Sequence, residues 1–177
     1  KREKDFVTVH FGSQGENTED FDAIVFATHS DQSLAILEQP TKDEEEILGA
    51  IEYQNNSAIL HYDESILPKR KNAWSSWNYF LDQDRNKPVA LTYNMNILQG
   101  LTCSRTFCVT LNNQDLVDPK KIIKHLNYEH PLFTVPSINA QKQKRKISGE
   151  NNTYYCGAYW RNGFHEDGVV SALDVCS

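Results

Sequence analysis

The stretch that decides the fold covers residues 154–173 and has the sequence YYCGAYWRNGFHEDGVVSAL. It predicts an apolar strand, a loop with glycines and a helix. Gly157, Gly163 and Gly168 carry no Cβ, so a ligand can approach the main chain closely. Glu166 and Asp167 stand where the helix begins, and unpaired N–H groups there attract a phosphate or an electron-rich ring. The alternative is an ordinary closing helix whose acidic residues favour its own N-terminus.

Bulk composition narrows the class of protein. The chain has 177 residues, of which 39% are hydrophobic and 24% charged, which is typical of one globular domain. A net charge of -6 argues against nucleic-acid binding. No apolar run approaches the ~18 residues of a membrane span. The four cysteines form no C-x-x-C pair, so we predict no metal site and cytoplasmic thiols, with a secreted protein carrying two disulfides as the open alternative.

The beginning of the chain indicates a fragment. Residues 6–11 alternate like a half-buried strand, and residues 12–17 predict a turn. Residues 21–28 form an almost continuous apolar run, which is typical of a strand covered on both faces. Because the chain starts with Lys1 and offers no partner before the first strand, we expect another half of the protein upstream.

The remaining elements alternate irregularly. Ser30 is expected to cap a helix through Leu37, and Thr41 with Glu44 forms a capping box before a second helix. The buried stripe of that helix and the later elements are predicted as follows: Ile47, Leu48 and Ile51; strands at 58–62, 89–95 and 106–111; a helix after Asp118-Pro119 with apolar Ile122, Ile123 and Leu126. The basic segment 141–147 predicts a solvated helix face. The fold class is therefore mixed α/β or α+β rather than a doubly wound sheet.

A second cluster combines aromatic and amide side chains in the middle of the chain. Residues 67–80 read LPKRKNAWSSWNYF, and residues 92–96 read TYNMN. Aromatic walls with a few orienting amides are typical of a small-molecule pocket. The candidate substrate residues are Trp74, Trp77, Asn78, Tyr93 and Asn96. The alternative is that the tryptophans are core residues and the amides cap turns.

Several of these stretches together resemble the C-terminal half of bacterial flavin-containing amine oxidase-like proteins, a predicted NAD/FAD-binding oxidoreductase family. They are FATHSDQ at 26–32, residues 67–79 and 92–101, FCVTLN at 107–112, YEHP at 128–131 and residues 157–173. The resemblance covers nearly the whole chain in order. Its most specific parts are WSSWNY and GAYW…GFHEDG…SAL. In this family the N-terminal half carries the G-x-G-x-x-G turn that binds the FAD pyrophosphate, and this chain has no such motif.

The resemblance implies FAD as cofactor and places it beside the chain termini. Residues 1–30 and 150–177 would belong to the FAD-binding domain, and 31–149 would form the substrate-side sheet with its helices. The implied cofactor-binding residues are Thr28, Gly157, Ala158, Tyr159, Gly163, Phe164, His165, Glu166, Asp167, Gly168 and Val169. The resemblance supplies no catalytic residue.

The implied function is hydride transfer from an organic substrate, apolar or amine, to flavin in the full-length protein, with the fragment alone inactive. Two departures weaken amine oxidation as the specific reaction. Arg161-Asn162 stands where a small or aromatic pair is expected, and no strand lysine can be placed near the flavin. Desaturation or dehydrogenation fits the family equally. The alternative from another class is a non-catalytic substrate-binding or assembly module that binds no flavin.

Overall fold

The structure, a computed structural model, describes residues 1–81 and 90–176. The strands are β1 Val7–Phe11, β2 Asn17–Phe21, β3 Ile24–Phe26, β4 Tyr53–His61, β5 Trp77–Phe80, β6 Ala90–Asn94, β7 Cys108–Leu111, β8 Ile122–Pro131 and β9 Thr153–Tyr155. The helices are α1 Ser30–Ile36, α2 Lys42–Gly49, α3 Met95–Gln99, α4 Val135–Gln141 and α5 His165–Cys176. Short 3-10 turns connect several of them. The mixed α/β class expected from the sequence is confirmed.

The chain divides into two compact units. The first consists of Lys1–Tyr53 and Pro131–Ser177, and the second of Gln54–His130. Residues 31–53 and 131–149, which the resemblance assigns to the substrate side, lie in the same compact unit as the two termini. The reason is visible in the first unit's core, where α2 and α4 contribute Ile47, Leu48 and Ala140 to the cluster that includes Tyr155.

The first unit contains two small sheets. β1 and β2 form an antiparallel hairpin, and β3 pairs with β9 in parallel, with Phe26 opposite Tyr155. The rings of Phe26 and Tyr155 stack at 5.6 Å. The stripe Ile47, Leu48 and Ile51 predicted for α2 is buried, as expected from its helical spacing.

A buried carboxylate holds three parts of this unit together. Thr41 and Glu44 form the predicted capping box of α2. The Glu44 carboxylate also accepts hydrogen bonds from the Arg2 guanidinium and, at 2.6 Å, from the Tyr155 hydroxyl. Burial by itself raises the pKa of the Glu44 carboxyl. Hydrogen bonds from the Arg2 guanidinium, the Thr41 N–H and the Tyr155 hydroxyl outweigh burial and lower this pKa to about 2. Glu44 therefore joins the N-terminal segment, α2 and β9.

The second unit is a sheet of five strands in the order β5-β6-β7-β4-β8. The pairs β5–β6, β6–β7 and β4–β7 are antiparallel, and opposed residues share a face. One face carries a buried polar chain in which His61 Nε2 donates to Thr110 Oγ1 and the Thr110 and Thr92 hydroxyls lie 2.8 Å apart. His61 Nδ1 accepts the Asp63 N–H at 3.0 Å, which defines the neutral tautomer.

Two sequence predictions about secondary structure are wrong. The run 21–28 is not one strand covered on both faces, because β2 ends at Phe21 and Val25 in β3 is 51% exposed. The helix expected after Asp118-Pro119 is only a 3-10 turn, although Asp118 does cap it by accepting the Lys120 N–H. Adjacent β-branched Ile122 and Ile123 favour an extended chain, and they begin β8. Val89 of the strand predicted at 89–95 lies outside the described residues.

The Glu44 contacts predict a specific loss of stability. Glu44→Ala leaves the Arg2 guanidinium and the Tyr155 hydroxyl without their buried acceptor, so the free energy of unfolding should fall by about 3 kcal/mol. The wild-type contribution is present above pH 4.5 and is lost as the pH falls towards 2. Urea unfolding measures both effects. Glu45→Gln removes an exposed charge from the same helix and is the matched control; equal losses in the two variants would contradict this role.

The buried imidazole predicts a different pH dependence. Burial lowers the pKa of His61, with Asp63 opposing the shift, so the folded chain keeps it neutral while the unfolded chain takes up a proton below pH 6.5. Unfolding free energy should therefore decrease as the pH falls below 6.5, by at most ~1.4 kcal/mol per pH unit. His61→Gln should remove this part of the slope, whereas His125→Gln, at an exposed position, should keep it. Identical slopes in both variants would refute the assignment.

Candidate functional site

The parallel pairing of β3 and β9 brings the two ends of the sequence prediction together. Phe26 is opposite Tyr155, and Thr28 and Gly157 each follow two residues later. The Cys156 N–H donates to the Phe26 carbonyl at 2.9 Å and extends the pairing beyond β9. Both loops therefore leave from the carboxyl ends of parallel strands, which is where open α/β sheets bind ligands. We call the surface formed by Thr28, Gly157 and the start of α5 the carboxyl edge.

Gly157 and Ala158 allow a close approach of the main chain at this edge. Gly157 has a φ of 154°, and an added Cβ would lie 2.4 Å from a ring carbon of Tyr159. Its N–H donates to Ser171 Oγ at 3.2 Å, which fixes the loop to α5. An added Cβ on Gly168 would meet Ala158 at an ordinary 3.8 Å. A methyl group at Gly168 would therefore fit between the first turn of α5 and the loop, whereas a larger side chain would press on Ala158.

The first turn of α5 is stabilised by its own acidic residue. The Asp167 carboxylate accepts the Phe164 N–H at 3.0 Å. The Gly168 N–H donates to the Phe164 carbonyl and opens the helical ladder, so the N–H groups of His165 and Glu166 precede it. The side chains of His165 and Glu166 are exposed. The Asp167 carboxylate therefore caps the N-terminal end of α5. The backbone N–H groups of His165 and Glu166 are available to an anion.

The apolar residues and the second loop glycine of the predicted site lie in different environments. Phe164 is 67% exposed and Val169 is 54% exposed. Gly163 has a φ of 87° and lies under the Phe133 ring, 3.2 Å from the position of an added Cβ. Tyr159, in contrast, is buried in the core of the unit. The structure thus separates an exposed rim, Phe164 and Val169, from a buried floor.

Three buried polar atoms beside the carboxyl edge have no hydrogen-bond partner among the described residues. They are His29 Nδ1, the Tyr159 hydroxyl and Trp160 Nε1. The His29 ring stacks on Tyr53 at 4.3 Å, and the Tyr159 and Trp160 rings lie 5.1 Å apart. Burial and the nearby Tyr53 raise the pKa of Tyr159, so its hydroxyl stays protonated. The side chains of Trp160 and Ser33 oppose this rise through hydrogen bonding, so the Tyr159 hydroxyl has polar neighbours although none meets strict hydrogen-bond geometry.

The candidate substrate residues do not form one pocket. Trp77 in β5 and Tyr93 in β6 are opposed and make an edge-to-face contact at 6.4 Å. Asn78 lies on the other face, where its amide donates to the carbonyls of Ser75 and Thr92.

The remaining two candidates serve the local backbone. Asn96 bonds the backbone of Arg105 and Phe107. Trp74 Nε1 donates to the Pro68 carbonyl at 2.8 Å. The hydrogen bonds of Trp74, Asn78 and Asn96 agree with the alternative that these side chains support the local fold. Of the five candidates, Trp77 and Tyr93 share a surface.

Sequence patterns alone missed His29, Tyr53 and Trp160 as neighbours of the edge. The signal available was their position, because His29 follows Thr28 and Trp160 lies within the glycine loop. Tyr53 had no such signal, since its hydroxyl reaches the Ser30 N–H from 23 residues away.

Residues 1–81 and 90–176 show neither a metal-ligand cluster nor a helix able to cross a membrane. They contain no group of three or more His, Cys, Asp or Glu side chains arranged to hold a metal ion. In the same residues no helix has the length and apolar character needed to cross a membrane.

Solved structures share this fold across almost the entire chain. A CLA-producing fatty acid isomerase from P. acnes is similar with a TM-score of 0.68 and 15% identity, over 98% of this chain and 44% of that chain. A protein provisionally assigned as a protoporphyrinogen oxidase, from Exiguobacterium sp. 255-15, gives a TM-score of 0.62 at 10% identity with the same coverage. No protein-family model and no curated protein matches the sequence.

The chain thus shares the fold of the corresponding part of each of these two proteins. At these identities the likeness is one of fold alone. The chain spans less than half the length of either neighbour.

The geometry of the glycine loop predicts that alanine lowers the stability of the fold much more at Gly157 than at Gly168. Gly157→Ala places a Cβ against the buried Tyr159 ring and should reduce the free energy of unfolding by roughly 2 kcal/mol. Gly168→Ala meets only ordinary contacts and adds a better helix former, so it should change stability by less than about 1 kcal/mol. Thermal and urea unfolding measure both. A Gly157→Ala variant as stable as Gly168→Ala would contradict the close approach of Tyr159.

Proposed function

We propose that this chain is the C-terminal half of an FAD-dependent oxidoreductase, with unit 1 belonging to the FAD-binding domain and unit 2 forming the substrate side. The observation that carries the proposal is the carboxyl edge, where Thr28 and Gly157 follow paired parallel strands and α5 begins. The fold shared with oxidoreductase-type neighbours supports it. The phosphate-binding G-x-G-x-x-G turn would come from the other half of the full-length protein.

At the carboxyl edge the chain's own groups would hold and orient the cofactor. The N–H groups at the start of α5 and the positive end of its dipole favour negative charge on a bound group. In the described part of the chain, the Tyr159 hydroxyl and Trp160 Nε1 are buried donors with no partner in strict hydrogen-bond geometry. Exposed Phe164 and Val169 provide an apolar rim that excludes water. FAD, when bound, supplies the hydride acceptor.

The proposed substrate surface is the aromatic face of the five-stranded sheet in the second unit. Trp77 and Tyr93 lie on one face, and the register adds Leu60 and Val109 to the same row. This row carries no charge, so it suits an apolar substrate or the apolar part of an amine. The fatty acid isomerase among the neighbours supports an apolar chain. Asn78 and Asn96 act as positioning residues for the sheet backbone in this proposal, and Trp74 packs in the preceding turn.

A substitution at Gly168 tests the proposed cofactor site in the full-length protein. Gly168→Val directs a branched side chain towards Ala158 and should weaken flavin binding about tenfold, because the start of α5 must move from the edge. The flavin-to-protein ratio, measured from the visible absorbance, gives the occupancy. Gly168→Ala should keep the wild-type ratio.

Gly49→Val is the matched control for a valine in a helix. Gly49 ends α2, away from the carboxyl edge, and an added Cβ there meets only Leu34 at 3.9 Å. Unchanged occupancy in Gly168→Val, or equal losses in both valine variants, would refute a cofactor contact at the helix start. We expect the 177-residue chain alone to be inactive and not to bind FAD tightly, and micromolar binding in isothermal titration would contradict that expectation.

A further inference from the structure

A second cleft lies in unit 1 beside the last turn of α5. Its volume is about 670 Å³, and its lining residues are Lys144, Arg145, Ser148, Tyr154, Arg161, Asp174, Val175 and Cys176. Asp174 lies nine residues beyond the start of α5, which corresponds to ~14 Å along the helix. None of its lining residues belongs to the proposed flavin site, although Lys144 bonds Ser171, which accepts the Gly157 N–H at the carboxyl edge.

Positive charge is in excess in this cleft. Lys144, Arg145 and Arg161 face one carboxylate, Asp174, in a chain whose net charge is -6. The Arg161–Asp174 distance is 3.8 Å, and both side chains are about half exposed, so solvent screens the pair. Neither Lys144 nor Arg145 forms an ion pair with a carboxylate in the described part of the chain. Among its described lining residues the cleft therefore has three cationic side chains and one carboxylate.

Lys144 is the most constrained of these cations. Its ammonium donates to Ser171 Oγ at 3.2 Å and to the Ser171 carbonyl at 3.4 Å, and it lies 5.9 Å from the centre of the Trp160 ring. All of these partners are neutral. Burial lowers the pKa of Lys144, with Asp174 and Cys156 opposing the shift and Arg161 adding to it. An anion bound in the cleft would further stabilise the charged form.

The other donors in the cleft favour a tetrahedral oxyanion. Two guanidinium groups can each bind oxygen pairs in a fork, which matches phosphate geometry. Ser148 Oγ accepts the Tyr155 N–H at 3.2 Å, so its own proton can be donated, and Tyr154 also lines the cleft. A carboxylate has only two oxygens for this number of donors, whereas a phosphate group has three or four.

We propose that the cleft formed by Lys144, Arg145 and Arg161 binds a phosphate group, carried by a soluble phosphate ester or by an anionic lipid head group. In this proposal the basic segment 141–147 binds a ligand and is not only a solvated helix face. The competing explanation is that the cations only complement the negative end of the α5 dipole and need no ligand.

Binding of inorganic phosphate to the 177-residue chain tests the proposal. Isothermal titration at constant ionic strength should give saturable binding of one phosphate. Arg145→Gln/Arg161→Gln should weaken it by about tenfold or more, because each charge-assisted hydrogen bond is worth more than a neutral one. Lys142→Gln/Lys146→Gln removes the same charge from the same segment outside the cleft and should leave the affinity unchanged.

Vesicle sedimentation distinguishes the two sources of phosphate. Binding to phosphatidylglycerol vesicles but not to phosphatidylcholine vesicles, lost in the arginine variant and kept in the lysine variant, identifies a lipid head group. Saturable binding of inorganic phosphate without vesicle binding identifies a soluble ester. Absence of saturable binding in both assays, or equal losses in the two double variants, would overturn the proposal.

Discussion

The buried carboxylate of Glu44 is the contact on which the first unit depends. A carboxylate removed from water is stable only when donors satisfy its oxygens. Arg2, the Thr41 N–H and the Tyr155 hydroxyl provide these donors. Because they come from the N-terminal segment, α2 and β9, one ion fixes three distant parts of the sequence. Tyr155 ends β9, so the same contact holds the strand from which the glycine loop leaves.

The second unit applies a related principle to a sheet. Its polar chain from His61 through Thr110 to Thr92 runs across neighbouring strands on the buried face. Each member bonds the next, so burial leaves the strands in one register. The opposite face is then free to carry the half-exposed row of Trp77, Tyr93 and their apolar neighbours. The division between a polar interior and an apolar outer row makes this sheet a suitable substrate surface in the proposed enzyme.

Local signals in the sequence were sufficient where the structure is local. The capping box at Thr41 and Glu44, the buried stripe of α2 and the helix beginning at His165 all follow from short-range spacing. The pairing of β3 with β9 joins residues more than 120 positions apart, and spacing does not encode it. Only the family resemblance anticipated that Thr28 and the glycine loop lie together.

Competing local preferences explain the predictions that failed. Asp118 and Pro119 begin a helix correctly, but the β-branched residues behind them continue as a strand. The amides of Asn78 and Asn96 bond nearby backbone groups, which is the commoner use of asparagine at turns, and their role towards a ligand stays a prediction. Pocket residues cannot be separated from turn residues by type, because both uses need the same donors and acceptors.

The absorbance spectrum of the purified full-length protein tests the central claim most directly. The account predicts flavin bands in the visible range, either as purified or after addition of FAD and removal of the excess. A full-length protein that stays colourless under both conditions would contradict the account and would favour a binding or assembly module without flavin.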